Sequence, residues 1–307
     1  MAVEAQVPVA ARGRPAAGVL RVAADYLALL KPRIILLLLV TELGAMMVAA
    51  RGWPGTWVTL GALAGGALAA GGAGAVNCWF DRDIDAVMPR TRRRPIAAGR
   101  ITPAAGLGFG IIVGLGGVAL VGLATNVLAA ALAAAGGLVY VFVYTMWLKR
   151  MTPQNIVIGG AAGAFPPLVG WAAVTGSLSP LAWVLFAIIF FWTPPHFWAL
   201  ALVLRKQYAA AKVPMLPVVV GGGRTRRAIV AYTFPMVGVS LLPWIWLGPL
   251  YGFSAIVLGG VFLALAWRAS RIETGHAAVT LFHYSLVYLA LLFIAAPIAA
   301  AMLALSA

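Results

Sequence analysis

Acidic residues are scarce in this chain of 307 residues, with seven Asp and Glu against 22 Lys and Arg and only 9% charged residues in all. A water-soluble domain of this length needs far more polar side chains to cover its surface, so a soluble globule is excluded. The single cysteine, Cys78, rules out an internal disulfide and any multi-cysteine metal centre. No Walker-type Gly-Lys-Ser/Thr loop is present, which argues against ATP chemistry, and Gly221-Gly-Gly223 reads as a flexible turn. Residues 1–30 lack the continuous apolar core of a secretory signal, and Glu4 and Asp25 are unlike a mitochondrial leader. They are expected to form a short cytoplasmic tail ahead of a membrane domain over 31–307.

What the chain does contain is apolar length. Hydrophobic residues make up 63% of it, and stretches of about 20 such residues, enough for a helix to cross a bilayer, recur along it. Nine spans are predicted, at 34–50, 57–77, 104–124, 127–147, 154–175, 180–202, 228–247, 252–268 and 279–304. The fold class is therefore an all-α polytopic membrane protein with about nine transmembrane helices. Small residues crowd Gly61–Gly74 and Gly106–Gly117, which predicts closely packed helices rather than a wide channel.

The net charge of +15 would suggest a nucleic-acid partner in a soluble protein. Here the basic residues lie in short loops between apolar spans, so the positive-inside rule accounts for them and no nucleic acid is expected. Five precede the first span (Arg12, Arg14, Arg21, Lys31, Arg33), and further groups follow spans two, four, six and eight, leaving only Arg51 on the other side. This asymmetry predicts a cytoplasmic N-terminus and an external C-terminus, with the long loops 78–103 and 203–227 on the cytoplasmic face.

Three of the seven acids fall within five residues, in Asn77-Cys-Trp-Phe-Asp81-Arg-Asp83-Ile-Asp85. If the second span continues helically, Asn77, Asp81 and Asp85 stack on one face at successive turns, and Asp83 points elsewhere. Hard oxygen ligands of this kind suit Mg²⁺, which keeps several waters and takes substrate phosphates as further ligands. The competing reading is that the acids cap the next element or pair with Arg82, Arg92 and Arg93. The loop continues Met88-Pro-Arg-Thr-Arg-Arg-Arg-Pro95, and arginine forks bind phosphate oxygens in pairs. Arg94, beside Pro95, is the candidate diphosphate contact, with Lys149 and Arg150 at the end of the fourth span as further candidates.

These residues resemble the UbiA-type intramembrane prenyltransferases, whose first motif reads Asn-Asp-x-x-Asp-x-x-x-Asp. Asn77, Asp81 and Asp85 match it, while Cys78 stands where quinone-pathway members carry aspartate. The resemblance is stronger to the haem farnesyltransferase branch. It is carried by Lys31-Pro-Arg33, Asn77 to Pro95, Tyr144-Thr-x-Trp-Leu-Lys-Arg150, Asn155-Ile-Val-Ile-Gly-Gly160 and Pro166-Pro-Leu-Val-Gly-Trp171. Trp192-Thr-Pro-Pro-His-Phe-Trp198, Pro214-Met-Leu-Pro217 and Leu281-Phe-x-x-Ser285 complete it, so that it covers about residues 28–295. It implies a UbiA-like helical bundle whose cytoplasmic loops cap the active site, in a bacterial inner membrane. It further implies Mg²⁺ held by Asn77, Asp81 and Asp85, and farnesyl diphosphate and haem B as substrates. The implied product is haem O, with haem A synthase or terminal-oxidase assembly proteins as downstream partners. One departure stands out: Lys206-Gln207-Tyr208 lacks the aspartate usual before this tyrosine, and no acid occurs between Asp85 and Glu273. A second Mg²⁺ site is therefore in doubt.

His196 follows Pro194-Pro195 inside the sixth span, where two prolines free backbone carbonyls. An ionisable residue at this depth is a functional candidate, either for haem iron or a propionate or for a hydrogen bond between helices. His283 is a weaker haem candidate, His276 is ordinary, and Glu42 is expected to bond across helices. Two rival functions fit less well: prenyl transfer to an aromatic or chlorophyll-type acceptor, and a haem transporter or channel.

Overall fold

The structure, a computed structural model, describes residues 18–272 and 275–306. The expectations resting on Glu4, Arg12, Arg14 and Glu273 lie outside the described residues. The described chain is helical, with no strand. It begins with α1 (Val19–Leu29), α2 (Pro32–Ala50), α3 (Thr56–Phe80), the short α4 (Arg82–Val87) and α5 (Pro103–Ala124). α6 (Val127–Leu138) runs into a π-helical stretch (Val139–Leu148) and α7 (Lys149–Met151), followed by α8 (Asn155–Gly159) and α9 (Ala161–Thr175). The second half comprises α10 (Pro180–Val203), the short α11 (Arg205–Ala210) and α12 (Leu216–Val219), then α13 (Gly221–Leu241), α14 (Trp244–Arg271) and α15 (Gly275–Ser306).

Local chemistry sets several helix starts. Thr102 and Ser179 accept from the amides of Ala105 and Ala182 and are followed by Pro103 and Pro180, while Asn126 accepts from Ala129. Each is a capping residue, and proline in the first turn loses no intrahelical bond.

Eight of the predicted spans have counterparts long and apolar enough to cross a bilayer. The seventh differs. α13 has 21 residues, but every 18-residue window of it contains Arg224, Arg226 and Arg227, which hold its hydropathy down. The apolar run 228–247 also does not form one helix. α13 ends at Leu241, ahead of Pro243, and α14 begins at Trp244 and is broken at Gly248 (φ 72°), before Pro249. Residues 19–29, expected as tail, form α1, fastened by Arg100 on Asp25 at 2.9–3.0 Å and by Tyr26 against Phe109.

The small residues do bring helices into contact. A methyl group added at Gly72 of α3 would lie 2.4 Å from the backbone nitrogen of Gly114 on α5, and one at Gly117 would lie 2.3 Å from that of Ala69. Elsewhere α10, α13, α14 and α15 surround a core containing Trp198, Tyr251, Phe262, Tyr288 and Phe293. Its hydroxyls are satisfied, Tyr251 and Tyr288 both donating to Ser240. Ile112 and Leu123 face outward and are 72% and 87% exposed, as expected of side chains that meet lipid.

Candidate active site

A cavity of about 550 Å³ reaches from the α3–α4 junction into the bundle, walled by α2, α3, the π-helical stretch, α9, α10 and α15. Asn77 and Asp85 of the acidic motif line it, and Asp81 is buried behind the lining between them. Backbone bonds from Asp81 to Asn77 and from Asp85 to Asp81, at 2.9 and 2.8 Å, carry the helical repeat across the joint between α3 and α4. All three side chains are buried, at 3% or less exposure.

Asn77 Nδ2 donates to Asp81 Oδ2 at 2.7 Å and to Thr145 Oγ1 at 3.1 Å, and its Oδ1 accepts from Lys31 Nζ at 2.6 Å. Lys149 donates to Asp81 Oδ2. Arg94 Nη1 bonds both oxygens of Asp85 at 2.8 and 2.9 Å. The two buried acids are thus each matched by a base. Arg94 and Lys149 line the cavity as expected.

Arg150 does not. Its two terminal nitrogens donate to the carboxylate of Asp83, 2.8 Å each, and it lies over the Phe80 ring outside the lining. Only a 3.7 Å approach to Asp81 links it to the site. Asp83 points away from Asp81 and Asp85, and the Arg150 hydrogen bonds lower its pKa from 3.8 to about 2.

Lys31, Tyr140, Tyr144, Arg90 and Tyr208 also line the cavity, and sequence reasoning missed their roles. Tyr140 and Tyr144 stack at 5.7 Å. In an ordinary helix, Lys149 would lie half a turn away from Tyr140. The wider π-helical turn, common at functional sites, brings both to the cavity. Burial raises the pKa of the Tyr208 hydroxyl, against the pull of Arg90. Gln207, its neighbour, is not in the lining, and its buried Oε1 has no partner.

Also in the cavity lining, the His196 ring lies between Trp192 (4.2 Å, 17°) and Phe282 (4.7 Å, 26°). Its Nδ1 is 2.6 Å from Ser285 Oγ, which also lies 2.6 Å from Phe282 O. The direction of the His196–Ser285 hydrogen bond follows the imidazole tautomer, and either choice ties the ring to α15. His283 is exposed and outside the lining; Phe282, Leu286 and Leu289 occupy that helix's cavity face, and residue 283 is turned off it. Glu42 makes no interhelical bond through Oε1, which is buried without a partner.

Among the described residues, no three His, Cys, Asp or Glu side chains form a metal cluster. Asp81 Oδ1, however, is buried without a hydrogen-bond partner. A buried carboxylate oxygen with no hydrogen bond, and only Arg150 at 3.7 Å as a charged neighbour, is costly. The donor set fits a hard cation that completes its shell with phosphate and water.

The chain matches the UbiA prenyltransferase family over residues 38–291. It is 51% identical over 287 residues to a protoheme IX farnesyltransferase of Granulibacter bethesdensis, with 89% of each chain covered. It is 53% identical over 281 residues to one of Chloroflexus aurantiacus, covering 89% of this chain and 47% of that longer relative, about half its length. A solved structure concerned with digeranylgeranylglyceryl phosphate synthase superposes with a TM-score of 0.75 at 17% identity, covering 91% of this chain and 99% of the other. A UbiA homolog from Archaeoglobus fulgidus bound to GPP and Mg²⁺ gives 0.62 at 16%, covering 88% and 99%. Those structural likenesses carry the fold, the sequence matches carry the lineage, and together they place the chain in the UbiA prenyltransferase family.

Proposed function

We propose that the chain transfers the farnesyl group of farnesyl diphosphate to a vinyl group of haem B, giving haem O and diphosphate. The observation that carries this reading is the placement of Asn77 and Asp85, with Lys149 and Arg94, in the lining of a largely apolar cavity that His196 also lines, with Asp81 bonded to Asn77 and Lys149 just behind that lining. The relatives' names and the sequence blocks around His196 favour haem as acceptor.

Asp81 and Asp85 would hold Mg²⁺, with Asn77 joining only if its oxygen leaves Lys31. When bound, the ion supplies positive charge to the departing diphosphate. Lys149 and Arg94 orient the diphosphate and stabilise its charge as the allylic C–O bond breaks. Arg150 is held off by Asp83 and acts on Asp81 at longer range. The aromatic and aliphatic walls exclude water from the allylic cation. The haem vinyl group then forms the new C–C bond, and water adds to the resulting cation and loses a proton. The cavity-lining His196 would meet haem, as iron ligand or propionate partner.

The basic loops support a cytoplasmic N-terminus, an external C-terminus and a bacterial inner-membrane location. Haem A synthase or terminal-oxidase assembly proteins would receive the product.

The test supplies purified protein with haem B, farnesyl diphosphate and Mg²⁺ and looks for haem O by mass. Its loss in Asp81→Ala and Asp85→Ala, with membrane insertion intact, is the expected result. Full activity without Mg²⁺ or without these carboxylates refutes the metal assignment. Haem uptake without a mass change favours a transporter.

A further inference from the structure

Among the described residues, Glu42 is the one cavity-lining carboxylate that the proposed chemistry does not use. It lies within α2, is 2% exposed, and its Oε1 has no partner. Its carboxyl rests on Gly66 of α3, where an added methyl group would come within 2.6 Å of Oε2. Here glycine is a matter of space: the acid occupies the volume that a side chain at 66 would take.

The antiparallel helices α2 and α3 are joined at two levels. At the mouth Lys31 bonds Asn77; eleven residues further along each chain path, Glu42 meets Gly66. Eleven residues of helix span ~16 Å, close to the extended length of three isoprene units. Between these levels Ala69, Ala70, Ala73 and Gly74 leave a smooth wall of small side chains. One turn below, Met46 and Ala62 are fully buried in a packed cluster. The α9 backbone closes the same level, since a methyl group at Gly170 would lie 2.4 Å from Glu42 O.

We propose that Glu42 forms the floor of the isoprenoid cavity and sets the length of prenyl chain that the enzyme accepts. The inference rests on the prenyl-diphosphate site proposed above. A fourth isoprene unit needs about one more helical turn, ~5 Å, which is the space that the glutamate side chain fills.

The experiment compares geranyl, farnesyl and geranylgeranyl diphosphates as donors to haem B, reading kcat/KM from product mass. The parent should prefer farnesyl. Glu42→Ala should shift the geranylgeranyl-to-farnesyl ratio upward by about tenfold or more, and the isosteric Glu42→Gln should keep the parent's ratio. A folded Glu42→Ala enzyme with the parent's ratio overturns the proposal, as does a Glu42→Gln enzyme that shifts equally. Should Glu42→Ala not fold, Ala70→Phe, one turn nearer the mouth, should favour geranyl over farnesyl; unchanged preference there also overturns it. A parent protein inactive with every donor instead sinks the underlying reading.

Discussion

Lys31 Nζ donates to Asn77 Oδ1 across 2.6 Å, joining the residue before α2 to the last turn of α3. Because Asn77 Nδ2 is shared between Asp81 and Thr145, the amide is held from three sides. Lys31 also adopts a left-handed backbone (φ 57°) ahead of Pro32. That conformation is unfavourable for a residue with a side chain and tends to persist where function requires it.

Lys31→Met should therefore lower kcat/KM for farnesyl diphosphate by about tenfold or more, the worth of a charged hydrogen bond. Haem affinity should stay at the parent's value. Equal loss for both substrates would show that Lys31 acts on the whole cavity rather than on the acidic end.

The Ser285 hydroxyl holds the His196 ring through its hydrogen bond with Nδ1. Ser285→Ala should weaken haem B binding by about tenfold, as loss of an outer partner of an iron ligand does, and His196→Ala should weaken it further. Titration followed at the Soret band measures both. Unaltered haem affinity in His196→Ala returns the ring to a packing role between Trp192 and Phe282.

The Asp83–Arg150 pair lies at the surface, with the Asp83 side chain 61% exposed. The lowered pKa of Asp83 means that its contribution is present above the ordinary value of 3.8 and disappears as pH falls toward about 2. Asp83→Asn should then cost less than ~1 kcal/mol of stability at neutral pH. It should leave the shape of the activity profile unchanged between about pH 5 and 9. A displaced acid limb in that profile would place Asp83 among the groups that touch substrate.

Gly72→Ala probes the seam between α3 and α5. The added methyl would meet backbone at 2.4 Å, which no rotamer change can relieve, so a loss of about 1–3 kcal/mol is expected. Thermal unfolding in detergent should register it, whereas Gly116→Ala, with open space around it, should unfold like the parent.

The motif at Asn77, Asp81 and Asp85 was legible in the sequence because an unbroken four-residue repeat needs no tertiary information. Arg94 and Lys149 were legible as charges near it. Arg150 was not, since its partner Asp83 is chosen by how the end of the π-helical stretch meets α4. Tyr140 escaped notice because an ordinary helical period sets it opposite Lys149, and widened turns have no reliable sequence signal. The pairing of Arg90 with Tyr208 joins two loops far apart in the chain. The run 228–247 is apolar throughout and reads as one span by composition alone, whereas Pro243 breaks it between α13 and α14.

The bases around the acidic pair outnumber it. Asp81 and Asp85 are met by Lys149, Arg94 and, through Asn77, Lys31, and Arg33 and Arg90 line the same cavity, a surplus of three positive charges. A field of that sign draws an anionic head group inward and opposes a cation arriving alone. A divalent ion is therefore expected to enter already bound to the diphosphate rather than ahead of it.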